Sequence, residues 1–232
     1  MKSYYSINTP IITGTFIREE AHRFLCTVRV NSEEVECYIP CSSHLDHFID
    51  LVGKRVLLIP NKQANSRTAY SVLAVKHNRH NILLNTSLAN KAAYHYITYN
   101  KFKSYGKDCI ISCEKSVHEY KSDILIEWQS TREVVEIKSV ISINAKSLFP
   151  TVYSKRAIKQ LENFLKFPDS IRIHYWLISL SPYIEEVSVN KAQSEYYELF
   201  YKCLARGMIC KAYQCSLVGS KVKIVKELPI VL

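Results

Sequence analysis

Residues 122–140 read SDILIEWQSTREVVEIKSV, and this stretch decides the fold of the second half of the chain. It contains two runs rich in Ile and Val, at 122–128 and 134–140, which have the composition of β-strands. The loop between them, 129–132, is polar and short enough for a hairpin. The stretch therefore predicts two neighbouring antiparallel strands.

The polar residues of this hairpin predict a catalytic site. Because side chains alternate along a strand, Glu136 and Lys138 share one face, and the hairpin brings Asp123 beside them. Paired carboxylates bind hard divalent cations such as Mg²⁺, which polarise a phosphodiester and activate water. A lysine near the metal orients the water or stabilises developing charge. This D…(D/E)-x-K arrangement is typical of restriction-endonuclease-like nucleases, and Asp123, Glu136 and Lys138 are its candidate catalytic residues.

Two alternatives stay open at this point. A Glu-x-Lys pair on an exposed strand is usually a solvated face, but here it lies inside the apolar run VVEIKSV, where a buried charge needs a partner or a role. Glu114, before the Asp-bearing strand, is either a third carboxylate of the site or a surface residue.

The pattern of elements changes near residue 100. Closely spaced strands before it predict a small barrel or sandwich, and alternating strands and helices after it predict an α/β unit. We therefore expect one domain over 1–97 and a second over 98–232. The predicted strands of the first part are 23–30, 34–40, 53–61, 68–77 and 81–85. After the hairpin, the second part is predicted to contain a helix after residue 154, a buried strand at 171–180 and a helix at 191–206.

The charge balance favours a polyanionic partner. The 232 residues include 31 Lys and Arg against 21 Asp and Glu, a net charge of +10, and such an excess is common in nucleic-acid-binding proteins. The hydrophobic and charged fractions are those of a globular protein, which excludes wholesale disorder, a collagen-like fibre and a coiled-coil rod. Each basic cluster alone is equally compatible with a solvated face; the clusters are Lys54, Arg55, Lys62 and Arg67 in the first part, and Lys155, Arg156, Lys159 and Lys166 on the helix after the candidate site.

The remaining signals point to a cytoplasmic protein with reduced thiols. The sequence shows neither a signal peptide nor an apolar run long enough to cross a membrane, so we expect no membrane association. Eight cysteines in such a chain are expected to be small buried hydrophobic residues. The C-x3-C spacings and the pair His44 and His47 are only a weak indication of zinc.

Over residues 122–140 the chain resembles the SfsA family, the sugar fermentation stimulation proteins. The family's Arg-Ile-Asp-Phe strand and following Glu-Val-Lys-Ser-Val strand are similar to 122–125 and 136–140. The resemblance extends over nearly the whole chain. Further similar segments are Arg23-Phe24, Arg67-Thr68-Ala69-Tyr70, Asn85-Thr86 with Ala89-Asn90, Glu114, Phe149-Pro150, Arg156 with Leu161, and the last five residues.

The resemblance implies an N-terminal OB-fold barrel followed by a restriction-endonuclease-like mixed-sheet domain. It also implies a nucleic-acid partner, DNA or RNA, and a metal-dependent nuclease using Mg²⁺ or Mn²⁺. The metal positions carry over as Asp123 and Glu136, with Glu114 less securely, and Arg23 joins the basic clusters as a nucleic-acid contact. Two other functions remain: a non-catalytic DNA-binding regulator of sugar catabolism genes, and a basic scaffold with no nucleic-acid role.

Three departures separate this chain from the family pattern. Thr151-Val152 replaces the Asp-Ala of a Phe-Pro-Asp-Ala motif, Gln160 replaces a motif His, and residues 41–43 replace the Asn-Thr-Gly after Pro40. The candidate catalytic residues Asp123, Glu136 and Lys138 are retained, whereas the residues of these three other motifs differ.

Overall fold

The structure is a computed structural model that describes residues 2–22, 24–41, 49–61, 66–105, 108–118 and 120–232, with only the backbone described for 101–105. Arg23 and Lys62, expected to contact nucleic acid, lie outside the described residues, as do His44 and His47.

A closed barrel forms the first part of the chain. The sheet order is β4-β3-β2-β5-β6-β7, and a further pairing of β4 with β6 closes five strands into an OB-like barrel, which confirms the expected fold. Tyr183, from the second part, donates a hydrogen bond to the carbonyl of His77 at 2.8 Å. The strands up to residue 83 are β1 (Tyr5–Ser6), β2 (Ile12–Glu19), β3 (Leu25–Val30), β4 (Glu33–Tyr38), β5 (Arg55–Pro60), β6 (Tyr70–His77) and β7 (His80–Leu83).

Strand β2, which the sequence did not predict, is central to the barrel. It pairs with β3 on one side and β5 on the other. The strand contains a glycine, Gly14. A Cβ atom at this position would lie 2.5 Å from Cγ1 of Val28 and 3.0 Å from the carbonyl oxygen of Arg29. Gly14 is therefore required by the close approach of β3, a tertiary contact that strand propensity does not register.

A mixed sheet forms the second part. Its order is β1-β17-β16-β14-β12-β11-β8, with β12, β14 and β16 parallel at the centre and antiparallel pairs towards both edges. This confirms the expected mixed sheet with flanking helices. The elements after the barrel are α1 (Ser87–Tyr105), β8 (Ile110–Cys113), β9 (Ser116–Val117), β10 (Tyr120–Lys121), β11 (Ile124–Trp128), β12 (Thr131–Val140), β13 (Lys146–Phe149), α2 (Lys155–Phe164), β14 (Ile171–Ser179), β15 (Glu186–Val189), α3 (Ser194–Ala205), β16 (Ile209–Val218), β17 (Lys221–Leu228) and β18 (Ile230–Val231).

Helices cover both faces of the mixed sheet. α2 and α3 bury apolar residues such as Leu161 and Phe200 on one face, in a cluster that includes Val134 and Tyr175. The serine before α2, Ser154, accepts a hydrogen bond from the backbone N–H of Ala157 and begins that helix. α1 packs on the opposite face against residues of β11, β12 and β14, and Leu73 and Leu83 of the barrel join this second cluster.

The two parts meet at α1. The helix passes without a break through residue 97, where the sequence placed the domain boundary, and its buried residues pack against the mixed sheet. β1, at the start of the chain, also joins that sheet through β17. A backbone hydrogen bond of 2.9 Å from Leu83 to Leu180 connects the barrel with the end of β14. The division at 97/98 stays a prediction from the sequence.

Among the described residues, no helix combines the length and apolar character that crossing a membrane requires. Cytoplasmic localisation stays a prediction.

The contact at Gly14 yields a stability prediction. Gly14→Ala forces its methyl group against Val28, so we expect it to lower the free energy of unfolding by about 1–3 kcal/mol. Thr13→Ala, at an exposed position on the same strand, is the control and should change it by less than about 0.5 kcal/mol. Urea denaturation measures both, and equal stabilities of the two variants would contradict the packing described for β2.

Candidate active site

The hairpin of β11 and β12 brings the two acidic residues together. The strands are antiparallel, with Ile124 opposite Val135, so Asp123, just before β11, lies level with Glu136. The short loop between the strands turns at Gln129, whose φ is +53°. Along β12, Val135 and Ile137 pack in the cluster under α1, whereas Glu136 lies on the face covered by α2. The predicted hairpin and its alternation are therefore confirmed.

Glu136 is buried, with 2% of its surface exposed, and both of its oxygens accept hydrogen bonds. Oε1 accepts from Nζ of Lys138 at 2.6 Å and from Nε2 of Gln160 at 2.7 Å. Oε2 accepts from the hydroxyl of Tyr120. Three donors from three different elements thus fix one carboxylate, and hydrogen bonding of this kind is required for a buried charge to be tolerated.

Asp123 accepts hydrogen bonds from β12 and from α1. Its Oδ2 accepts from the backbone N–H of Ile137 at 2.8 Å, and its Oδ1 accepts from Nδ2 of Asn90 on α1 at 3.0 Å. Burial, followed by the negative charge of Glu136, raises the pKa of Asp123 from 3.8 to about 6, although these hydrogen bonds and Lys138 act in the opposite direction. Asp123 therefore loses its proton at a higher pH than an ordinary aspartate.

Lys138 faces both Glu136 and Gln160. Its Nζ donates to Oε1 of Glu136 and to Oε1 of Gln160, and the side chain is largely buried. Burial and the charge of Glu136 raise the pKa of Tyr120 far above its usual value, so the phenol stays a proton donor to that carboxylate. Lys138 pairs with Glu136, whereas Asp123 accepts hydrogen bonds from a backbone N–H and an amide. The ionised carboxylate pair therefore carries more negative charge than this one ammonium group neutralises, and a divalent cation could neutralise the excess.

These groups line a cavity of about 410 Å³. Its polar lining includes Asp123, Glu136, Lys138 and Gln160, with Arg156 from the first turn of α2. The carboxylate pair is therefore buried among protein atoms yet reachable from this cavity.

Glu114, expected as a further metal ligand, neighbours Asp123, because its backbone N–H donates to the carbonyl of Asp123 at 3.0 Å. Its exposed side chain accepts a hydrogen bond from Nζ of Lys121 at 2.5 Å. In the described part of the chain, no group of three or more His, Cys, Asp or Glu side chains could hold a metal ion. The structure thus brings together Asp123, Glu136 and Lys138, with Glu114 next to Asp123 along the sheet but its side chain exposed and paired with Lys121. The role of Glu114 as a metal ligand stays a prediction.

The predicted basic residues fall into two groups. Lys155, Arg156 and Lys159 are exposed on α2, and Arg156 also lines the cavity. The barrel residues do not line it: Lys54 and Arg55 lie at the start of β5, and Arg67 is paired with Glu36 at 3.1 Å.

Sequence reasoning missed three residues that hold the site: Asn90, Tyr120 and Gln160. Asn90 lies in a segment that is similar to the family pattern, and Gln160 lies at a position that departs from it. Neither observation indicated a role for the residue. Tyr120 has no sequence signal, because it reaches Glu136 only through the packing of its ring against Phe164 and Phe167, with ring centroids 5.2 and 5.8 Å away.

The raised pKa of Asp123 predicts how its substitution affects stability. Because the native state holds this proton at higher pH than the unfolded chain, the metal-free protein loses stability as pH rises from about 4 to above 6. Asp123→Asn removes this loss, so the stability difference between variant and wild type should shift in favour of the variant by about 2 kcal/mol from pH 4.5 to 7.5. Urea denaturation in EDTA at both pH values measures it. A difference that does not change with pH would contradict the buried carboxylate pair.

Comparisons with known proteins identify the family of the chain. A family model described as the sugar fermentation stimulation protein RE domain matches residues 87–221. A sugar fermentation stimulation protein homolog from Pelagibacter ubique (strain HTCC1062) is 25% identical over 228 residues, covering 95% of this chain and 97% of that protein. One from Clostridium acetobutylicum is 22% identical, covering 91% and 93%.

A solved structure has the same fold. Pyrococcus furiosus SfsA, determined in complex with Ca²⁺, matches with a TM-score of 0.84 and 22% sequence identity, covering 100% of both chains. Since the family model spans more than half of the sequence, the chain belongs to the sugar fermentation stimulation protein (SfsA) family.

Proposed function

We propose that the protein is a metal-dependent nuclease that hydrolyses phosphodiester bonds in DNA or RNA. The observation that carries the proposal is the carboxylate pair, Asp123 and Glu136, beside a cavity: Lys138 pairs with Glu136, whereas Asp123 accepts hydrogen bonds from neutral donors. A buried structural ion pair would need only one carboxylate for one lysine. The second carboxylate, whose pKa is raised by burial and by Glu136, indicates a site for a cation.

The donor set fits Mg²⁺ or Mn²⁺. Carboxylate oxygens are the ligands that these hard cations prefer, and a site with two carboxylates that takes its remaining ligands from water and substrate phosphate is typical of Mg²⁺. Asp123 and Glu136 would hold the ion. The Ca²⁺ complex of Pyrococcus furiosus SfsA supports a hard divalent cation on this fold. When bound, such an ion polarises the phosphodiester and lowers the pKa of water.

Lys138, Gln160 and Arg156 have separate roles in the proposed reaction. Lys138 is positioned to orient a water molecule or to stabilise negative charge on the phosphate. Gln160 accepts from Lys138 and donates to Glu136, and therefore keeps the ammonium group and the carboxylate aligned. Arg156 lies at the cavity and is placed to bind a neighbouring phosphate.

A second candidate is a nucleic-acid-binding regulator without turnover, for example at sugar catabolism genes. The specific observation in its favour is that Thr151 and Gln160 replace the Asp and His of two family motifs and both line the cavity. The hydrogen bonds of Gln160 to Glu136 and Lys138 favour the nuclease, because the replacement keeps the catalytic residues connected.

Substitutions at the carboxylates and the lysine test catalysis. Asp123→Asn and Glu136→Gln should abolish cleavage of labelled DNA and RNA in Mg²⁺ or Mn²⁺, because each weakens the cation site. Lys138→Ala should keep metal binding but lower the cleavage rate about 100- to 1,000-fold, and Lys138→Arg should restore little of it, since a planar guanidinium does not replace a compact ammonium.

Glu127→Gln is the matched control, because Glu127 lies on β11, pairs with Arg132 at 3.2 Å and does not line the cavity. It should cleave like wild type, and EDTA should stop both. Cleavage by Glu136→Gln at the wild-type rate, after removal of contaminating nuclease, would refute the site. Tight nucleic-acid binding without cleavage in any metal would support the regulator.

The basic face of α2 predicts a dependence of binding on salt. Lys155, Arg156 and Lys159 together should contribute about two to three phosphate contacts, so replacing all three by Glu should weaken binding and lower the slope of log affinity against log salt by about 2–3. A control with the same charge change is Lys115, Lys202 and Lys226 replaced by Glu, which are exposed and outside the cavity. Fluorescence anisotropy from low to physiological salt measures both slopes. Equal slopes for the two triple variants would exclude α2 as the phosphate-binding face.

A further inference from the structure

Exposed apolar side chains lie at the mouth of the candidate active site. Leu148 of β13 and Val152, in the connection to α2, are 51% and 45% exposed, and both line the cavity that contains Asp123 and Glu136. Exposed apolar side chains at a functional cavity are a mark of interaction sites, because their exposure costs free energy that a bound partner recovers. A phosphodiester and a metal ion would not use such side chains.

The apolar surface continues away from the carboxylates. A second cavity of about 520 Å³ shares Leu148 and Thr151 with the first and extends to Ile143, which is 40% exposed. Its lining also includes Asp50 and Ile49, and Ile49 belongs to the apolar core of the barrel. The apolar shelf, defined as Ile143, Leu148 and Val152, therefore lies along a groove that leads from the carboxylate pair towards the barrel.

Cationic groups accompany the shelf. Arg156 lines the first cavity and Lys146 the second, and the side chain of Lys146 is highly exposed. Nζ of Lys146 lies 4.0 Å from Oε1 of Glu186, and Asp50 lines the same cavity. The excess of positive charge therefore lies at the α2 side of the groove, where Arg156 and its exposed neighbours Lys155 and Lys159 border the apolar shelf. A polymer with a negatively charged backbone and flat apolar side groups matches this alternation, and a nucleic-acid strand has this chemistry.

The shelf also distinguishes between unpaired and paired strands. In a duplex the faces of the bases are stacked on one another and are not available to protein side chains. In a single strand they are available, and proteins that bind single strands provide side chains for them. Apolar side chains can also touch base edges in the grooves of a duplex, but a shelf can lie against the flat face of a base only where that base is unstacked.

We propose that the substrate strand enters this site unpaired, with bases next to the reacting phosphate supported by Leu148 and Val152. The proposal rests on the proposed nuclease function, because it uses the same cavity, and it names single-stranded nucleic acid, or the unpaired part of a duplex, as the substrate class. Leu148 and Val152 are specificity residues in this account and take no part in the chemistry.

Binding measured without turnover tests the proposal. The full chain with Lys138→Ala, in Mg²⁺, is titrated with a labelled oligonucleotide in three forms: single-stranded, blunt duplex, and single-stranded with abasic sites in the central positions. The same is done after adding Leu148→Ser and Val152→Ser. Because both side chains are exposed, these changes should preserve the fold, which thermal unfolding checks. Val225→Ser, at a 43% exposed position on β17 outside the described cavities that form the groove, is the matched control.

The expected result has three parts. The single strand should bind at least about tenfold more tightly than the duplex, and the Leu148→Ser and Val152→Ser pair should remove about tenfold of its affinity. The pair should have little effect on the abasic strand, because the bases that the shelf supports are already absent, and Val225→Ser should change none of the affinities.

Other outcomes separate this proposal from the nuclease proposal. If the wild-type chain cleaves nucleic acid but the shelf variants bind and cleave single strands as it does, the shelf proposal is wrong and the nuclease remains. If the shelf variants lose single-strand binding while the wild-type chain never cleaves, the groove binds single strands, but the nuclease is wrong and the bound strand is not a substrate. Equal affinity of the Lys138→Ala chain for duplex and single strand would overturn the shelf proposal.

Discussion

The buried carboxylate of Glu136 is the constraint on which the rest of the site depends. A charge with 2% exposure is tolerated only if protein donors replace the water that it loses. The donors come from Tyr120 beside the hairpin, Lys138 on the same strand and Gln160 on α2. Each of these elements must therefore pack in one arrangement, and the requirement to satisfy Glu136 links the position of α2 to the chemistry of the cavity.

The packing of the sheet makes this arrangement rigid. α1 and α2 lie on opposite faces of β12, and each contributes one amide side chain, Asn90 to Asp123 and Gln160 to Glu136. The two carboxylates are thereby held from opposite sides of the sheet, and neither can move without breaking a hydrogen bond. Such preorganisation is what a metal-dependent hydrolase needs, because its reacting groups must be in place before the substrate arrives.

Much of this architecture follows from local sequence rules. The hairpin that joins Asp123 to Glu136 depends on strand alternation and a short loop, and both can be recognised within 122–140. The barrel strands after β2 follow from runs of apolar residues between turns. β2 itself was not among the predicted strands, and the glycine within it, Gly14, is required by the close approach of Val28, which local sequence does not reveal.

Residues that act through tertiary packing could not be predicted. Gln160 and Tyr120 reach Glu136 from positions 24 and 16 residues away, and nothing in their local sequence distinguishes them from ordinary polar or core residues. Glu114 precedes the Asp-bearing strand, but it has a positive φ of 53° after β8, and its side chain pairs with Lys121. Strand alternation therefore predicted that Asp123, Glu136 and Lys138 lie together, but not which further side chains form hydrogen bonds with them.

The most direct test of the central claim is to locate a metal ion. Crystals of the protein grown or soaked with Mn²⁺ should show an anomalous-scattering peak between Asp123 and Glu136, within about 2.3 Å of an oxygen of each. The peak should be absent from crystals of Glu136→Gln prepared in the same way. An ion bound elsewhere, for example at Glu114, or no ion at the pair in wild-type crystals that bind Mn²⁺ at other positions, would contradict the account.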